Sequence, residues 1–255
     1  MTTTTTSPTP VLAGKVAFVT GGSRGIGAAI VRRLARDGAA VAFSYSSSQA
    51  VAEELARSLE AEGGRALALK IDSADAEALK AGIDQAARHF GGRIDILVNS
   101  AGVLHLGPVD ELTLADFDRT IAVNVRAVFV AIQAALAHMG SGGRIVNIGS
   151  TNAERMPFAG GSIYAMSKSA LTGLVQGLAR DLGPRGITVN NVQPGPVDTD
   201  MNPANGPMAA TMHSFMALDR HGHADEIAGM VAYLAGPDAS FVTGAALTVD
   251  GGYLA

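Results

Sequence analysis

The chain has no cysteine among its 255 residues, and this absence excludes several kinds of chemistry. Without cysteine there can be no disulfide, no thiol nucleophile and no zinc site built on thiolates. The sequence also lacks a basic block or stripe, and its formal net charge is −4, so no nucleic-acid partner is expected. These absences suggest a protein of a reducing compartment that does not act on nucleic acid.

The sequence has little that would direct it out of the cytoplasm or into a membrane. The first residues, MTTTTTSPTP, carry no positive charge and no apolar core, so we predict a disordered tail over residues 1–12 rather than a signal peptide. The most apolar stretch, residues 120–137, is interrupted by Asn124, Arg126 and Gln133, which disfavours a membrane span. We therefore expect a soluble, cytoplasmic protein.

Short apolar runs alternate with amphipathic segments along most of the chain. Such alternation is typical of a Rossmann-type α/β fold, a doubly wound parallel sheet with helices on both faces. The patterns predict strands at 15–20, 39–45, 65–71, 93–102, 143–150, 186–195 and 246–252. They predict helices at about 25–36, 50–62, 75–89, 114–138, 162–183 and 224–235. No linker interrupts the series, so we predict one domain over residues 13–255.

One late segment, residues 198–223, departs from this alternation. It is long, rich in methionine, and contains Pro203 and Pro207. Irregular insertions of this kind often serve as lids over a site, and methionine suits adaptable contacts. We predict a substrate lid, with an extra surface helix as the alternative. The histidines at 213, 221 and 223 have no acidic or cysteine partner at ligand spacing, so no metal site is predicted.

The stretch VTGGSRGIGAAI, residues 19–30, places glycines at a turn from strand to helix. Free backbone N–H groups and the positive end of the helix dipole favour an anion there. The spacing of Gly21, Gly25 and Gly27 is G-x-x-x-G-x-G rather than the familiar G-x-G-x-x-G. A pyrophosphate is the ligand we expect, although a glycine-rich turn alone could be only a tight turn.

The end of the second predicted strand bears on the choice of cofactor. Folds that bind NAD often carry an Asp or Glu there for the ribose hydroxyls, but residues 43–48 read FSYSSS. Arg24 lies in the glycine loop instead. A cation with the hydroxyls of Ser44, Ser46 and Ser47 suits a 2′-phosphate, so we expect NADPH rather than NADH. The alternative for Arg24 is a solvated surface side chain.

Tyr164 and Lys168 stand four residues apart in YAMSK, on one face of a predicted helix. A free tyrosine has a pKa of about 10. A cation about 4 Å away could bring the pKa of the phenol toward 7, where it can exchange a proton with a carbonyl or alcohol. An isolated match would be only a surface pair. Here, Ser150 ends an apolar strand, Asn124 lies within a helix, and NSAG (99–102) and QPGPVDTD (193–200) close two further strands.

The order of these motifs resembles the short-chain dehydrogenase/reductase family in its shorter, single-domain form. The resemblance extends from about Gly14 to Gly252, and the family motif T-G-x-x-x-G-x-G matches Thr20, Gly21, Gly25 and Gly27. It implies Tyr164 as the acid–base group and Lys168 as the cation that lowers its pKa and holds the nicotinamide ribose. It further implies Ser150 on the substrate oxygen and a water on Asn124 that passes protons toward Lys168.

The resemblance also implies where the cofactor lies. Asp72 would contact adenine, and the segment after the sixth strand would hold the carboxamide and phosphates. The implied cofactor residues, besides Tyr164 and Lys168, are Gly21, Ser23, Arg24, Gly25, Ile26, Gly27, Ser44, Tyr45, Ser46, Asp72, Asn99, Ala101, Gly102, Pro194, Gly195, Val197 and Thr199. No metal is implied.

The chain departs from the family's pattern at two places. Ser100 stands where relatives more often have a second asparagine, so we expect altered bonding around an intact cofactor site. Ser150 precedes Tyr164 by fourteen residues, one more than in many relatives. Thr151 would restore the common spacing and also has a hydroxyl. We favour Ser150 because it follows the strand directly and loops tolerate insertions.

The resemblance implies an NADPH-dependent reductase of a ketone or aldehyde, working as a homotetramer on a small molecule. The chain also looks like a 3-oxoacyl-[acyl-carrier-protein] reductase, but residues 134–143 carry no lysine or arginine for an acidic carrier. A non-catalytic NADPH sensor is a further alternative, although such proteins usually lose the tyrosine or lysine. The substrate pocket would be walled by Leu104, His105, Met156, Phe158 and residues 201–216.

Overall fold

The computed structural model describes residues 9–255 and confirms the predicted fold class. Seven parallel strands form one sheet in the order β3-β2-β1-β4-β5-β6-β7, so the strand order reverses at β1 and β4. Ligands of such sheets bind at the carboxyl ends of the strands, near this reversal. The strands are β1 (Val16–Thr20), β2 (Ala40–Tyr45), β3 (Arg65–Lys70), β4 (Ile96–Asn99), β5 (Arg144–Ile148), β6 (Thr188–Pro194) and β7 (Ala246–Val249).

Helices cover both faces of the sheet. They are α1 (Gly25–Arg36), α2 (Gln49–Ala61), α3 (Ala76–His89), α4 (Leu114–Ile121), α5 (Ala127–Leu136), α6 (Ser162–Leu182), α7 (Ala209–His213) and α8 (Ala224–Ala235). One buried cluster lies against α1, α2 and α8 and includes Val19 and Phe43. The other lies against α3, α5 and α6 and includes Phe18. β1 is therefore buried on both faces, as its continuous apolar run predicts.

The predicted helix 114–138 is a composite. Between α4 and α5, residues Ala122–Arg126 form a turn of π-helix. Such a turn contains one residue more than a turn of α-helix. The resulting helix, Leu114–Leu136, is long and apolar enough to cross a membrane by length and composition. However, 56% of its most apolar window is buried inside the protein, as in the core helix of a folded domain.

The folded domain begins earlier than the predicted boundary at residue 13. Leu12 is buried in the core, and its N–H donates to the Asp37 carbonyl at 2.7 Å. The sequence did not predict this contact, because one buried leucine between a polar tail and the first strand makes no periodic pattern. The rest of the predicted tail, residues 1–8, lies outside the described residues.

The predicted lid, residues 198–223, is closed at its base and contains one short helix, α7. Val197 pairs with Gly222, and the Asp198 N–H donates to the Gly222 carbonyl at 2.9 Å. The two ends of the segment thus leave and re-enter the domain side by side. The second half lies over the C-terminal residues, where the Leu218 N–H donates to the Gly251 carbonyl at 2.8 Å.

Candidate active site

The glycine loop forms a cradle of bare backbone between β1 and α1. Gly21 has φ +67°, and a Cβ there would lie 2.8 Å from the Ala101 Cα. A Cβ at Gly27 would lie 2.2 Å from the Gly21 carbonyl oxygen. Only glycine therefore fits these positions, and the loop presents the start of α1 without side chains. This geometry fits the pyrophosphate of a dinucleotide.

Threonine and serine hydroxyls hold the loop against its neighbours. The Thr20 Oγ accepts hydrogen bonds from the N–H groups of Ser100 and Ala101 at 3.0 and 3.1 Å, joining the ends of β1 and β4. The Ser44 Oγ accepts from the Gly21 N–H at 3.1 Å. Ser100 makes its hydrogen bond to Thr20 through its backbone N–H, so a serine in place of the usual asparagine leaves that bond intact.

Ser44 differs from its predicted role. It lies inside β2 and is only 1% exposed, so its hydroxyl supports the glycine loop instead of facing a 2′-phosphate. Tyr45 is also buried, whereas Ser46 and Ser47 beyond the strand are exposed. The strand ends at Tyr45, as predicted, so Ser44 lies within it, and the alternation of strand side chains fixes the direction of its hydroxyl. Arg24 occupies the N-cap position of α1, but its side chain makes no capping hydrogen bond and is 64% exposed.

The turn after β3 is fixed by arginines of the long helix. Both oxygens of Asp72, the residue expected at adenine, accept from the Arg119 guanidinium at 3.0 and 3.1 Å. This arginine and the Ala74 N–H hold the pKa of the Asp72 carboxyl below its usual value. The Arg126 side chain donates to the Ala74 carbonyl at 3.2 Å. Arg119 and Arg126 were not among the predicted site residues.

The segment after β6 lies over the glycine loop. Gly195 packs so closely on Asp250 that a Cβ would lie 2.7 Å from the Asp250 Cα. Thr199, at the start of the lid, lies beside Gly25, where a Cβ would be 3.4 Å from the Thr199 Cγ2. Pro194 and Val197, which flank this approach, are buried. The structure thus brings the predicted phosphate-binding segments of α1 and β6 together.

Tyr164, Lys168 and Ser150 meet at the carboxyl end of β5. Both Tyr164 and Lys168 lie in the first two turns of α6, and the Lys168 Nζ is 5.8 Å from the centre of the Tyr164 ring. The same Nζ donates to the Ile148 carbonyl at 2.8 Å. The Ser150 Oγ accepts from the Asn152 N–H at 3.1 Å, which leaves its own proton free to donate.

Burial sets the protonation of this pair, and it does so differently from our expectation. Burial raises the pKa of the Tyr164 phenol, and a hydrogen bond with Ser150 opposes that rise. Burial also lowers the pKa of Lys168 to about 8. We predicted that Lys168 would lower the pKa of Tyr164. In the protein alone the loss of solvation dominates instead, so tyrosine is neutral at pH 7.

The geometry separates Ser150 from Thr151. The Thr151 side chain is buried and donates to the Pro194 carbonyl at 3.2 Å, on the neighbouring strand. Ser150 is the hydroxyl that opposes the rise in the pKa of Tyr164. The structure therefore places Ser150 with the tyrosine and gives Thr151 a bond that ties β5 to β6.

Asn124 sits in the π-helical turn with its side chain fully engaged. Its Oδ1 accepts from the Val103 N–H at 2.9 Å, and its Nδ2 donates to the Val103 carbonyl and the Ser167 Oγ at 3.0 Å. The amide thus joins the loop after β4 to α6, the helix that carries Tyr164 and Lys168. Gly102 lies close to both Asn124 and Lys168. A Cβ at Gly102 would be 3.6 Å from the Asn124 Oδ1 and 3.6 Å from the Lys168 Nζ.

The comparisons with known proteins show the family of this chain. A family model described as Enoyl-(Acyl carrier protein) reductase matches residues 21–254. An uncharacterized oxidoreductase of Methylorubrum extorquens is 42% identical over 94% of this chain and 98% of its own length. The chain belongs to the short-chain dehydrogenase/reductase family.

Solved short-chain dehydrogenase/reductases share the whole fold. One from Serratia marcescens is 62% identical, with a TM-score of 0.94, over 96% of this chain and 100% of its own. One from Burkholderia cenocepacia, in complex with NADP, is 55% identical with a TM-score of 0.95 over the same shares. The Cyclic-di-GMP-binding biofilm dispersal mediator protein of Escherichia coli is 54% identical over 94% of this chain and 97% of its own.

Two supporting residues of this short-chain dehydrogenase/reductase were missed from the sequence. The Asn99 Nδ2 donates to the Asn147 Oδ1 at 2.9 Å, which joins β4 to β5 just below the site. Ser167 accepts from Asn124 and donates to the Tyr164 carbonyl at 2.7 Å. A polar residue inside the apolar run RIVNIGS was the signal for Asn147. No feature of the sequence indicated Ser167, apart from its position next to Lys168.

Three further predicted residues lie at or beside the glycine loop. Ser23 is buried in the glycine loop, and Ile26 and Ala101 are partly buried around it. The lid histidines pair with each other, since the His213 Nε2 lies 2.7 Å from the His221 Nδ1. Within residues 9–255, no three side chains of metal-binding type lie together.

Proposed function

We propose that this short-chain dehydrogenase/reductase reduces a ketone or aldehyde to an alcohol with NADPH. The observation that carries the proposal is the meeting of Tyr164, Ser150 and Lys168 beside a glycine cradle that fits a dinucleotide. The solved relative that holds NADP supports the choice of cofactor. Arg24 and the exposed Ser46 and Ser47 would surround the 2′-phosphate.

The site residues can supply the proton that the reduction needs. NADPH, when bound, supplies the hydride to the carbonyl carbon. Ser150 donates a hydrogen bond to the carbonyl oxygen, and the neutral Tyr164 gives that oxygen its proton. The tyrosinate left behind lies near the Lys168 ammonium, which stabilises it until a proton returns. The oxygen thereby leaves as a hydroxyl.

A free small carbonyl compound suits the surface better than a carrier-bound one. The family model takes its description from an acyl-carrier substrate, but the end of α5 and the loop after it, residues 134–143, have no lysine or arginine. Arg144, which directly follows this stretch, is buried. Arg185, beyond the next helix, donates to the carbonyls of Leu136 and Met139 at 3.1 and 3.2 Å. It therefore secures a helix end instead of standing free for an acidic partner.

The second candidate is a nucleotide-binding protein without turnover, and the name of the Escherichia coli relative, a cyclic-di-GMP-binding protein, favours it. Oxidation of NADPH, followed at 340 nm with a panel of ketones and acetoacetyl thioesters, separates the two. We expect turnover that Tyr164→Phe abolishes while NADPH still binds. No turnover with any carbonyl, together with calorimetric binding of cyclic-di-GMP, would favour the second candidate.

We further propose that the enzyme is a homotetramer. Large apolar side chains remain exposed on α4, α5 and α6, namely Leu114, Phe117, Phe129 and Met166. Others, Tyr233 and Phe241, lie on and after α8. Exposed apolar patches of this kind mark association surfaces, and two separate patches suit a dimer of dimers.

A further inference from the structure

His105 lies in the middle of a short loop that borders the proposed site. The loop begins at Gly102, which packs against Lys168 and Asn124. It ends at Gly107, whose N–H donates to the Gly160 carbonyl at 2.9 Å, four residues before Tyr164. Both ends of the loop are therefore fixed to the elements that carry the catalytic side chains. His105 is partly exposed between them.

A chain of hydrogen bonds fixes which nitrogen of His105 carries the proton. The Thr120 hydroxyl lies 2.7 Å from the Asp116 carbonyl oxygen, and because that oxygen can only accept, the hydroxyl donates to it. The Thr120 Oγ therefore accepts from the His105 Nδ1, 3.0 Å away. Thr120 is fully buried, so water does not compete. In the neutral ring, Nδ1 carries the hydrogen and Nε2 has the free lone pair.

We infer that the His105 Nε2 is a specificity-determining acceptor that binds a hydroxyl group of the substrate. Leu104, Met156 and Phe158, the other expected walls, are apolar. A single oriented acceptor in apolar surroundings selects a ligand that is mainly apolar and carries one matching donor. The substrate class is then a hydroxy ketone, either an α-hydroxy ketone or a ring-hydroxylated aryl ketone. This inference rests on the proposed carbonyl reduction.

The test compares ketones that differ by one hydroxyl at equal size. 2-Hydroxyacetophenone is matched with propiophenone, and each ring-hydroxylated acetophenone with its methyl counterpart. We expect at least one hydroxylated member to exceed its partner about tenfold or more in kcat/KM, through KM, since an oriented hydrogen bond is gained. The position of the hydroxyl in the favoured substrate shows how far from the reacting carbonyl His105 binds that hydroxyl.

Variants assign that preference to the hydrogen-bond chain. Thr120→Val removes the acceptor that fixes the ring, so the kcat/KM ratio of the favoured pair should fall toward one. Thr120→Ser keeps the hydroxyl and should retain the ratio. His105→Phe, on a partly exposed loop, should abolish the preference even if Thr120→Val does not fold. Thermal unfolding of each variant reports its folding.

The outcomes separate this inference from the proposed function. Turnover of these ketones without any hydroxyl preference, or a preference that His105→Phe leaves unchanged, overturns the role of His105 alone. No turnover of any ketone by the unmodified enzyme overturns the carbonyl reduction itself.

Discussion

At the scale of single residues, the buried lysine of the site works against the stability of the protein alone. Its folded-state pKa of about 8 lies below the value of 10.5 of a free lysine. Between these values the unfolded chain binds the proton and the folded protein does not, so stability rises with pH across this window. Below pH 8 both states are charged, and the full penalty of burying the ammonium is present.

Lys168→Met should therefore stabilise the cofactor-free protein at pH 7 while it abolishes turnover. We expect a gain of about 1–3 kcal/mol in the free energy of unfolding, or at least about 2–4 °C in Tm. The gain should shrink as the pH rises from 8 toward 10.5. Thermal unfolding of both proteins over this range checks it. A variant that is less stable at pH 7, or a gain that is constant with pH, would contradict the burial argument.

Ser150 and Thr151 provide a second residue-scale prediction. Ser150→Ala removes a donor to the oxygen that develops negative charge, so kcat should fall about 10²-fold or more. Thr151→Ala removes only the bond to the Pro194 carbonyl. It should therefore lower the Tm and change kcat much less. Steady-state kinetics beside thermal unfolding distinguish the two effects, and a larger kcat loss in Thr151→Ala would reverse their assignment.

Residue types could be predicted from the sequence, but their hydrogen-bond partners could not. Tyr164, Lys168 and the glycines follow from spacing within one helix or one turn. Asp72 and Arg119 are 47 residues apart, and Asn99 and Asn147 are 48 apart. The predicted direction of the pKa shift of Tyr164 was wrong for the same reason. The pKa depends on burial by the whole packed site and not on a neighbouring lysine alone.

At the scale of elements, the boundary of β2 decides which serine faces the cofactor. Ser46→Asp, just beyond the strand, should narrow or reverse the preference for NADPH over NADH, because the carboxylate repels the 2′-phosphate and accepts from ribose hydroxyls. Ser44→Asp would place its carboxylate beneath the Gly21 N–H, so it should weaken both cofactors. Kd values for both cofactors test this. Equal Kd values in the unmodified protein would show that Arg24 does not bind phosphate.

The helices and strands themselves were predictable because their patterns are local. Periodicity gave every strand of the sheet and all long helices to within a few residues. The π-helical turn was not predictable, since AVNVR reads as ordinary helix. The extra residue is retained because Asn124 makes three hydrogen bonds from it, and those partners lie on other elements.

At the scale of the whole molecule, the exposed apolar side chains lead to a prediction about assembly. Light scattering at micromolar concentration should give four times the chain mass. Phe129→Lys, on the α4–α6 surface, should reduce the assembly to dimers by burying a charge in the interface. Val51→Lys, on the exposed side of α2, is the matched control and should leave the mass unchanged. A monomer mass for the unmodified protein would refute the tetramer.

The π-helical turn also has a consequence for how this gene can change. Losing one codon within a helix ordinarily rotates everything after it by about 100°, which breaks the core. Here the deletion of one residue from 122–126 would convert the turn to regular α-helix, and α4 and α5 could both keep their buried faces. The protein would fold and would lose the hold of Asn124 on Val103 and Ser167. An in-frame deletion in this stretch would therefore abolish turnover while the protein still folds. The product would be a folded dinucleotide-binding protein on which selection can act.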